Sequence, residues 1–233
     1  MRVRIRFSKL GKVRFVSHRD MARIWERALH RAEVPLAMSE GFRPRPKISF
    51  GLALPTGAES ISEYLDIETS SDTLDLAVLV PRLTEVLPEG CEVLTMAEID
   101  RRLGSLQSTV TSTTWELWSS QLTIADHVVA CDLLNRDELI LERERKGKRS
   151  ADDVRPMILN LRSDSTGDRL VADLATIGRA LRPAELVQLA YPDIDWRDVR
   201  VLRTHQWCEH DGSRHEVLTV PTVVNASARE VLA

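Results

Sequence analysis

The sequence has few cysteines, and they lie far apart. The three are Cys91, Cys131 and Cys208, and no CxxC or CxxxCxxC pattern occurs. This argues against a disulfide framework, a zinc ribbon and an iron–sulfur cluster held by this chain alone. His205, Cys208 and His210 share one short polar stretch, whereas tetrahedral metal sites usually take ligands from two rigid elements. Metal binding by that stretch stays open, and we expect no cofactor.

Long apolar runs are also missing. No stretch approaches the roughly eighteen apolar residues that a membrane-spanning helix needs. Residues 1–6 alternate charged and apolar side chains, unlike the continuous apolar core of a signal peptide. We therefore expect a cytoplasmic protein without membrane contact. The patterns GxxxxGK(S/T), GxGxxG after a strand and GxSxG do not occur, which removes the commonest nucleotide-dependent enzymes and hydrolases.

The net charge of −3 hides an uneven distribution. Residues 1–50 hold 13 Lys and Arg against 4 Asp and Glu, a net charge of +9. The rest of the chain holds 19 basic and 31 acidic residues, a net charge of −12. A phosphate-binding surface needs local positive potential, not a high overall charge. The basic N-terminal region therefore indicates an anionic partner.

Hydrophobic periodicity predicts an α+β fold made of two tandem ferredoxin-like domains with antiparallel sheets. Residues 1–100 follow the order β-α-β-β-α-β. Residues 101–112 are polar and are expected to form a linker. Residues 113–218 repeat the order less clearly, with a basic hairpin insertion, and residues 219–233 are expected to form a flexible tail.

The first predicted helix begins at Ser17 and carries an arginine at every fourth position. Residues four apart lie on the same side of a helix, so these arginines form a row apart from the apolar stripe. The alternating arginines of residues 2–6 are expected to add a basic strand face, and the prolines after Gly41 to hold a basic loop extended. The residues of this region predicted to bind nucleic acid are Arg14, Ser17, Arg19, Arg23, Arg27, Arg31, Phe42, Arg43, Arg45 and Lys47.

In this hypothesis the basic side chains hold phosphates, and Phe42 stacks on a base. The alternative is a solvated helix face paired with nearby carboxylates. Those carboxylates are Glu26, Glu33 and Glu40, and they are too few to neutralise the excess positive charge.

A second basic run lies in the second predicted domain. Residues 138–145 are predicted to form a strand, residues 146–166 an insertion, and residues 169–177 the next strand. Five of the seven positions from 143 to 149 are basic, which favours a hairpin tip that contacts an anion, although a solvated loop is the alternative. The nucleic-acid-binding residues predicted here are Lys146, Lys148, Arg149 and Arg155.

His18, at the start of the first helix, is the candidate catalytic residue. A histidine there could act as general acid–base on a ribose hydroxyl. The sequence shows no second acid–base group beside it, so a structural hydrogen bond or a phosphate contact is the competing interpretation.

The segment from Val13 to Glu68 resembles the bacterial radical-SAM-linked (radical-SAM-associated) family, a domain of unknown function found free-standing or fused to radical SAM enzymes. The matching features are Ser17-His18-Asp20, the helix end at Arg27 to Arg31, Pro35, Ser39-Glu40-Gly41-Phe42, Pro44, Pro46-Lys47, Gly57, Glu63-Tyr64, and residues 146–148 and 153–156. The resemblance transfers no catalytic residue.

The resemblance implies a role near RNA, because free-standing members tend to be encoded beside ribosomal-protein and ribonuclease genes. This chain lacks the three-cysteine cluster motif, so any radical chemistry would belong to a partner. We predict a non-catalytic RNA-binding accessory protein in RNA maturation or ribosome-related work, with a radical SAM enzyme or a ribosome-associated protein as partner. The alternatives are a metal-independent endoribonuclease that uses His18 and a protein–protein adaptor with a basic docking face. Paired ferredoxin-like domains also occur in CRISPR repeat-processing endoribonucleases, a likeness of fold only.

Overall fold

The computed structural model divides into two compact α+β units. The first comprises Met1–Thr109 with residues 216–218, and the second comprises Val110–His215. The structure describes residues 1–145, 147–178 and 180–218. Within these residues no helix combines the length and apolar character needed to cross a membrane.

In the part of the first unit that the structure describes there are four strands, two longer α-helices and one short one. These are β1 (Arg2–Lys9), α1 (His18–Arg31), β2 (Ile48–Phe50), β3 (Glu59–Glu68), α2 (Leu76–Val86), β4 (Val93–Glu98) and α3 (Leu106–Thr109). The strands lie in the order β4-β1-β3, with β2 paired to β3, and every one of these pairings is antiparallel. In this register Ile5 lies opposite both Leu65 and Met96.

The core of the first unit lies between its sheet and its helices. Alternation along β1 turns Val3, Ile5 and Phe7 to one side, where each is at most 2% exposed. Trp25 and Leu29 of α1 are four residues apart, fully buried, and belong to the same cluster. The rings of Phe7 and Trp25 meet edge to face with centroids 4.8 Å apart. Burying each of these side chains contributes about 1.5–3 kcal/mol, which fixes α1 by its apolar stripe.

The arginines of β1 do not form the exposed basic face expected from the sequence. Arg4 is 5% exposed, and its guanidinium donates to both carboxylate oxygens of Asp66 at 2.8 and 3.0 Å. Arg2 donates to the same carboxylate at 2.8 Å. Arg6 is 4% exposed and donates to the Ile61 carbonyl and to Glu216. That expectation was wrong because Arg4 and Arg6 are buried and their charges are paired inside the unit.

Among its described residues, the second unit has seven strands and two α-helices, besides short 3-10 turns. These are β5 (Val110–Trp118), α4 (Ile124–Cys131), β6 (Ile140–Arg145), β7 (Lys148–Asp153), β8 (Ile158–Ser163), β9 (Leu170–Ala175), α5 (Pro183–Ala190), β10 (Arg200–His210) and β11 (Ser213–Glu216). The main strands lie in the order β10-β5-β9-β8, with β11 beside β10. Strands β6 and β7 form a separate two-stranded hairpin.

The structure changes the predicted strand assignment of the second unit. The segment predicted as its second sheet strand, residues 138–145, pairs only with β7 in the hairpin. The strand beside β9 is β8, which lies in the segment predicted as an insertion. Four consecutive charged residues end β6, whereas β8 buries Ile158 and Leu161 at 2% and 4% exposure. β6 buries Leu141 at 5% exposure but continues into charged residues, so β8 has the more apolar side and joins the sheet.

The segment expected to form a linker is partly ordered secondary structure. It contains α3 and the first residues of β5. Leu106 is 2% exposed and packs against Gly51, where an added Cβ would lie 3.4 Å from the Leu106 side chain. The tail expected at residues 219–233 lies outside the described residues.

Candidate nucleic-acid interface

Helix α1 is fixed at its start by a side-chain cap. Ser17 Oγ accepts a hydrogen bond from the Asp20 backbone N–H at 3.2 Å and donates to the Asp20 carboxylate at 2.8 Å. Asp20 also pairs with Arg23 at 3.0 Å. The hydrogen bond from Ser17 and the positive charges of Arg23 and Arg19 hold the pKa of Asp20 below its ordinary value. The cap thus sets where the helix starts and, with it, the direction of the arginine row.

The solvent side of α1 carries a row of four arginines, here called the α1 arginine surface. Its members are Arg19, Arg23, Arg27 and Arg31, and all four are exposed. Arg23 pairs with Asp20, but within the described residues no ion pair within 4 Å involves the other three. From first to last the row spans about 18 Å along the helix axis, at about 1.5 Å per residue. That length matches about five nucleotides of a stacked strand.

A second exposed basic element is the loop before β2, here called the tip loop, residues 39–45. Its base is closed by the Ser39 N–H, which donates to the Arg45 carbonyl at 2.8 Å, and by the Arg45 N–H, which donates to Ser39 Oγ at 3.0 Å. Gly41 has φ of 117°, a backbone conformation that other residues rarely adopt. The two hydrogen bonds at the base and the glycine turn therefore define the shape of the loop.

The tip loop presents Phe42 to solvent between basic residues. Phe42 is fully exposed, and Arg43 and Arg45 are exposed as well. Within the described residues neither arginine has an ion-pair partner within 4 Å. An exposed aromatic ring flanked by positive charge suits a nucleobase next to its phosphates. Lys47 differs, because it pairs with Glu68 at 3.0 Å.

Arg14 is partly neutralised by an internal partner. Its guanidinium lies 3.7 Å from Glu59, which also accepts from the Gly11 N–H at 2.7 Å. It lies over the ring of Phe15, 4.7 Å from the centroid, and that ring is 61% exposed. Phe15 was not among the predicted residues, and the 3-10 turn Gly11–Phe15 leaves its ring exposed beside Arg14.

His18 borders a small cleft that is also lined by residues from distant parts of the first unit. The imidazole packs edge-on against Phe50, with centroids 5.5 Å apart. Lys9, Glu63 and Tyr64 line the same cleft. Lys9 Nζ donates to the Val16 carbonyl at 2.7 Å. The sequence showed no second acid–base group beside His18, and the fold supplies candidates that are 9 to 46 positions away.

The residues that line the cleft behind His18 are strongly desolvated. Burial raises the pKa of Tyr64, against the opposing charge of Arg6. Burial also raises the pKa of the nearby Cys91 thiol to about 12, so this cysteine is protonated and unreactive at neutral pH. His18 itself remains exposed. The polar groups of the cleft can therefore accept or donate hydrogen bonds, with His18 at the solvent border.

The predicted basic residues of the second unit have varied surroundings. Arg143 is held by Glu185 of α5 through two hydrogen bonds of 2.8 and 2.7 Å. The Arg155 guanidinium donates to the Leu134 and Ile158 carbonyls and so braces the chain internally. Arg149 is exposed on β7.

Lys146 and Lys148 are the two further predicted residues of the hairpin. Lys148 begins β7, and Lys146 lies outside the described residues. This hairpin belongs to the second unit, so the predicted basic residues do not all lie on one element.

The sequence leaves metal binding open for the polar stretch that contains His205, Cys208 and His210. Across the described ranges, no three His, Cys, Asp or Glu side chains form a group that could hold a metal ion. His205 instead stacks on Trp207, with centroids 4.9 Å apart and planes 11° from parallel.

The fold and the surface define an α+β protein with an exposed, arginine-rich first helix. A family model described as "Uncharacterized protein conserved in bacteria (DUF2344)" matches residues 2–183. The chain belongs to this bacterial family. The matched region contains α1, the tip loop and the β6–β7 hairpin. A comparison with curated proteins finds no match.

Proposed function

We propose that this protein is a non-catalytic RNA-binding accessory protein that holds RNA on the α1 arginine surface and the tip loop. The observation that carries the proposal is the row of four exposed arginines, of which only Arg23 has an ion-pair partner among the described residues. Unneutralised arginines at regular spacing attract a chain of phosphates and release its counterions.

The tip loop favours RNA over an acidic protein as the ligand. Single-stranded RNA offers both phosphates and unstacked bases, and proteins bind such bases on aromatic rings and arginine planes. Phe42, fully exposed between Gly41 and Arg43, supplies such a ring beside positive charge. An acidic protein surface would use the arginines but would leave Phe42 without a matching group.

We also infer that both units are ferredoxin-like. The strand order β4-β1-β3-β2 in the first unit and β10-β5-β9-β8 in the second is the same pattern, with a helix after the first and third strands of each. The β6–β7 hairpin is then an insertion between α4 and β8. A fold of this kind does not by itself fix a function, and the ligand is argued from the surface alone.

The biological setting of the proposal comes from the family resemblance. It supports a cytoplasmic role in RNA maturation or ribosome-related work, with a radical SAM enzyme or a ribosome-associated protein as partner. In that arrangement the chain binds RNA and the partner performs any chemistry.

RNA retention during purification tests the proposal. The protein is washed at low salt, the bound RNA is extracted and sequenced, and the double variant Arg23→Ala/Arg27→Ala is treated in parallel. The matched control is Arg101→Ala/Arg102→Ala, which removes two exposed arginines of the same unit outside the surface. We expect discrete RNAs on the wild type and the control and their loss from the α1 variant. Equal recovery from all three proteins would contradict the proposal, and a co-purifying acidic protein without RNA would favour an adaptor.

The cleft beside His18 favours one alternative, a metal-independent endoribonuclease. Lys9, Glu63 and Tyr64 provide polar groups in the cleft that His18 borders, which is what acid–base chemistry on a ribose would need. The test is incubation of the bound RNA in a metal chelator with the wild type, His18→Ala and His30→Ala, an exposed histidine of the same helix. Our proposal predicts no cleavage by any of them. Cleavage by wild type and His30→Ala, lost only in His18→Ala, would establish the alternative.

A further inference from the structure

We propose that the second unit has its own binding surface for single-stranded RNA, on one face of its sheet. This surface, here called the tryptophan face, consists of Trp118, Arg162, Arg169, Arg200, Trp207 and Arg214. The inference takes its ligand class from the proposed function but rests on different residues in the other unit.

Strand register places the members on one face. Successive residues of a strand point to opposite sides, and Leu117, Leu161 and Leu170 are buried on one side at 0–4% exposure. Trp118 therefore lies on the other side, directly opposite Arg200 of β10. Arg162 of β8 lies on that same side, since it pairs with Val171, which in turn pairs with Glu116 of β5.

The first cluster on this face is built around Trp118. The Arg169 guanidinium lies 4.4 Å from the indole centroid, and that of Arg200 lies 5.0 Å from it. Arg169 is held in place by Glu116 at 2.8 Å. A planar guanidinium packed on an indole is a stacking platform as well as a positive charge.

The second cluster is built around Trp207 of β10. His205 lies almost parallel to the indole, and the Arg214 guanidinium lies 4.3 Å from the same ring centroid. The indole N–H donates to Thr114 Oγ1 at 2.8 Å, which fixes the ring orientation. Arg214 is 37% exposed, so the cluster reaches solvent.

Asp173 links the arginines of the face and orients them. It accepts from Arg214 at 3.1 Å and from Thr114, and it lies 3.5 Å from Arg162. Burial would raise the pKa of Asp173, but the hydrogen bonds and charges of these partners outweigh it and lower the pKa. Asp173 and Glu116 thus hold Arg162, Arg169 and Arg214 in fixed positions on the face.

Single-stranded RNA fits this combination better than other anions. Its bases stack on aromatic rings and on arginine planes, and its phosphates pair with the guanidinium edges. Duplex RNA hides its bases inside the helix and would use only the charge. Trp207 pairs with Ser112, six residues before Trp118 on β5, so the two clusters lie about 20 Å apart along the strands and would hold bases near the two ends of a short single strand.

Intrinsic tryptophan fluorescence of the full chain tests the inference. The probe is an oligouridine of about eight nucleotides, within the usual site size of stacking platforms. The face variants are Trp118→Phe/Trp207→Phe, which removes the reporters but keeps aromatic rings, and Arg162→Ala/Arg214→Ala. Trp196→Phe is the matched control, because Trp196 lies in the 3-10 turn before β10. The variant Arg19→Gln/Arg27→Gln/Arg31→Gln removes the α1 surface, and thermal melting checks the fold of each protein.

We expect the probe to quench the tryptophan fluorescence of the wild type, of the Trp196→Phe control and of the α1 variant. In Trp118→Phe/Trp207→Phe we expect little quenching. We also expect Arg162→Ala/Arg214→Ala to weaken the midpoint of quenching at least about fivefold with an unchanged melting temperature. Quenching that survives in Trp118→Phe/Trp207→Phe, or an unchanged midpoint in the arginine variant, would overturn the inference. If only the α1 variant loses RNA, the proposed function holds and the tryptophan face fails. If no protein is quenched or binds RNA by any readout, both fail.

Discussion

Strand β1 and helix α1 both carry arginines at regular intervals, yet the two sets have opposite surroundings. Arg4 and Arg6 of β1 are at most 5% exposed and are held by Asp66 and Glu216. The arginines of α1 are exposed, and only Arg23 is paired among the described residues. Regular spacing therefore does not distinguish a structural arginine from one free to bind a ligand.

The difference follows from the position of each element. β1 is a central strand with β3 and β4 on its two edges, and its arginines are buried within the unit, so each charge needs a partner. α1 packs by one stripe and leaves its other side in water. The partner of Arg4 is Asp66, which lies 62 residues later, so carboxylates close in sequence say little about neutralisation.

The largest expected effect comes from breaking a buried pair. Asp66→Ala would leave Arg2 and Arg4 without their carboxylate, and we expect the free energy of unfolding to fall by about 3–5 kcal/mol. Urea denaturation measures it. The matched control is Asp72→Ala, because the Asp72 side chain pairs with Met1 and Arg101 but is 90% exposed. If the free energy of unfolding of Asp66→Ala fell by less than about 1 kcal/mol, as in the control, the β1 arginines would not differ from the α1 arginines in their structural role.

The second largest effect is a loss of RNA affinity without a loss of stability. In Arg19→Gln/Arg27→Gln/Arg31→Gln we expect RNA affinity at about 0.1 M salt to fall roughly a hundredfold, because three phosphate contacts are lost. The free energy of unfolding should change by no more than about 0.5 kcal/mol, since all three side chains are exposed. Fluorescence anisotropy with a labelled single strand and urea denaturation measure the two quantities. If the triple variant were destabilised but bound RNA normally, the α1 arginines would be structural and would not form the binding surface.

Phe42→Ala tests whether the tip loop contributes to RNA affinity without contributing to stability. Loss of one stacked base should weaken RNA binding about fivefold or more. Stability should not change, because the ring is fully exposed. Phe15→Ala, in which an exposed ring outside the tip loop is removed, is the matched control for anisotropy. Equal losses in both variants would show that exposed aromatic area, not the tip loop, determines binding.

A smaller effect is expected at the helix start. Ser17→Ala removes the cap of α1 and should cost about 0.5–1 kcal/mol of stability. Ser17→Asp keeps a capping acceptor and should recover most of the loss. Thermal or urea unfolding of the wild type, Ser17→Ala and Ser17→Asp measures these differences in stability. If Ser17→Asp were no more stable than Ser17→Ala, loss of the cap would not explain the destabilisation.

The smallest effect is a pH dependence from Asp20. Its pKa in the folded protein lies below the ordinary value of 3.8, so the charged carboxylate stabilises the helix start above that pH. The contribution is lost as pH falls through the lowered pKa. We expect Asp20→Asn to lower the melting temperature at pH 6 and to have less effect at pH 3. A difference of the same size at both values would contradict this assignment.

Local patterns predicted the elements of the first unit well. The alternation of Val3, Ile5 and Phe7 and the cap at Ser17 are signals within a few residues, and they mark β1 and α1. The second unit was harder because its choice of sheet strand is not local. β6 and β8 are both short strands, and only the buried side of β8 shows which one joins the sheet.

The candidate surfaces also differ in whether local sequence predicts them. The α1 row was predictable because its spacing is a property of one helix. The pairing of Arg4 with Asp66, the cleft beside His18 and the clusters at Trp118 and Trp207 depend on residues brought together by strand register. Sequence periodicity contains no register between distant strands.

The salt dependence of RNA affinity tests the central claim most directly. The logarithm of the affinity is measured against the logarithm of salt concentration for the wild type, the α1 triple variant and Arg101→Ala/Arg102→Ala. With about 0.7 units of slope per phosphate contact on a single strand, we expect the triple variant to lose about two units of slope. The control should keep the wild-type slope. Identical slopes for all three proteins would contradict the claim that the exposed arginines of α1 hold the phosphates.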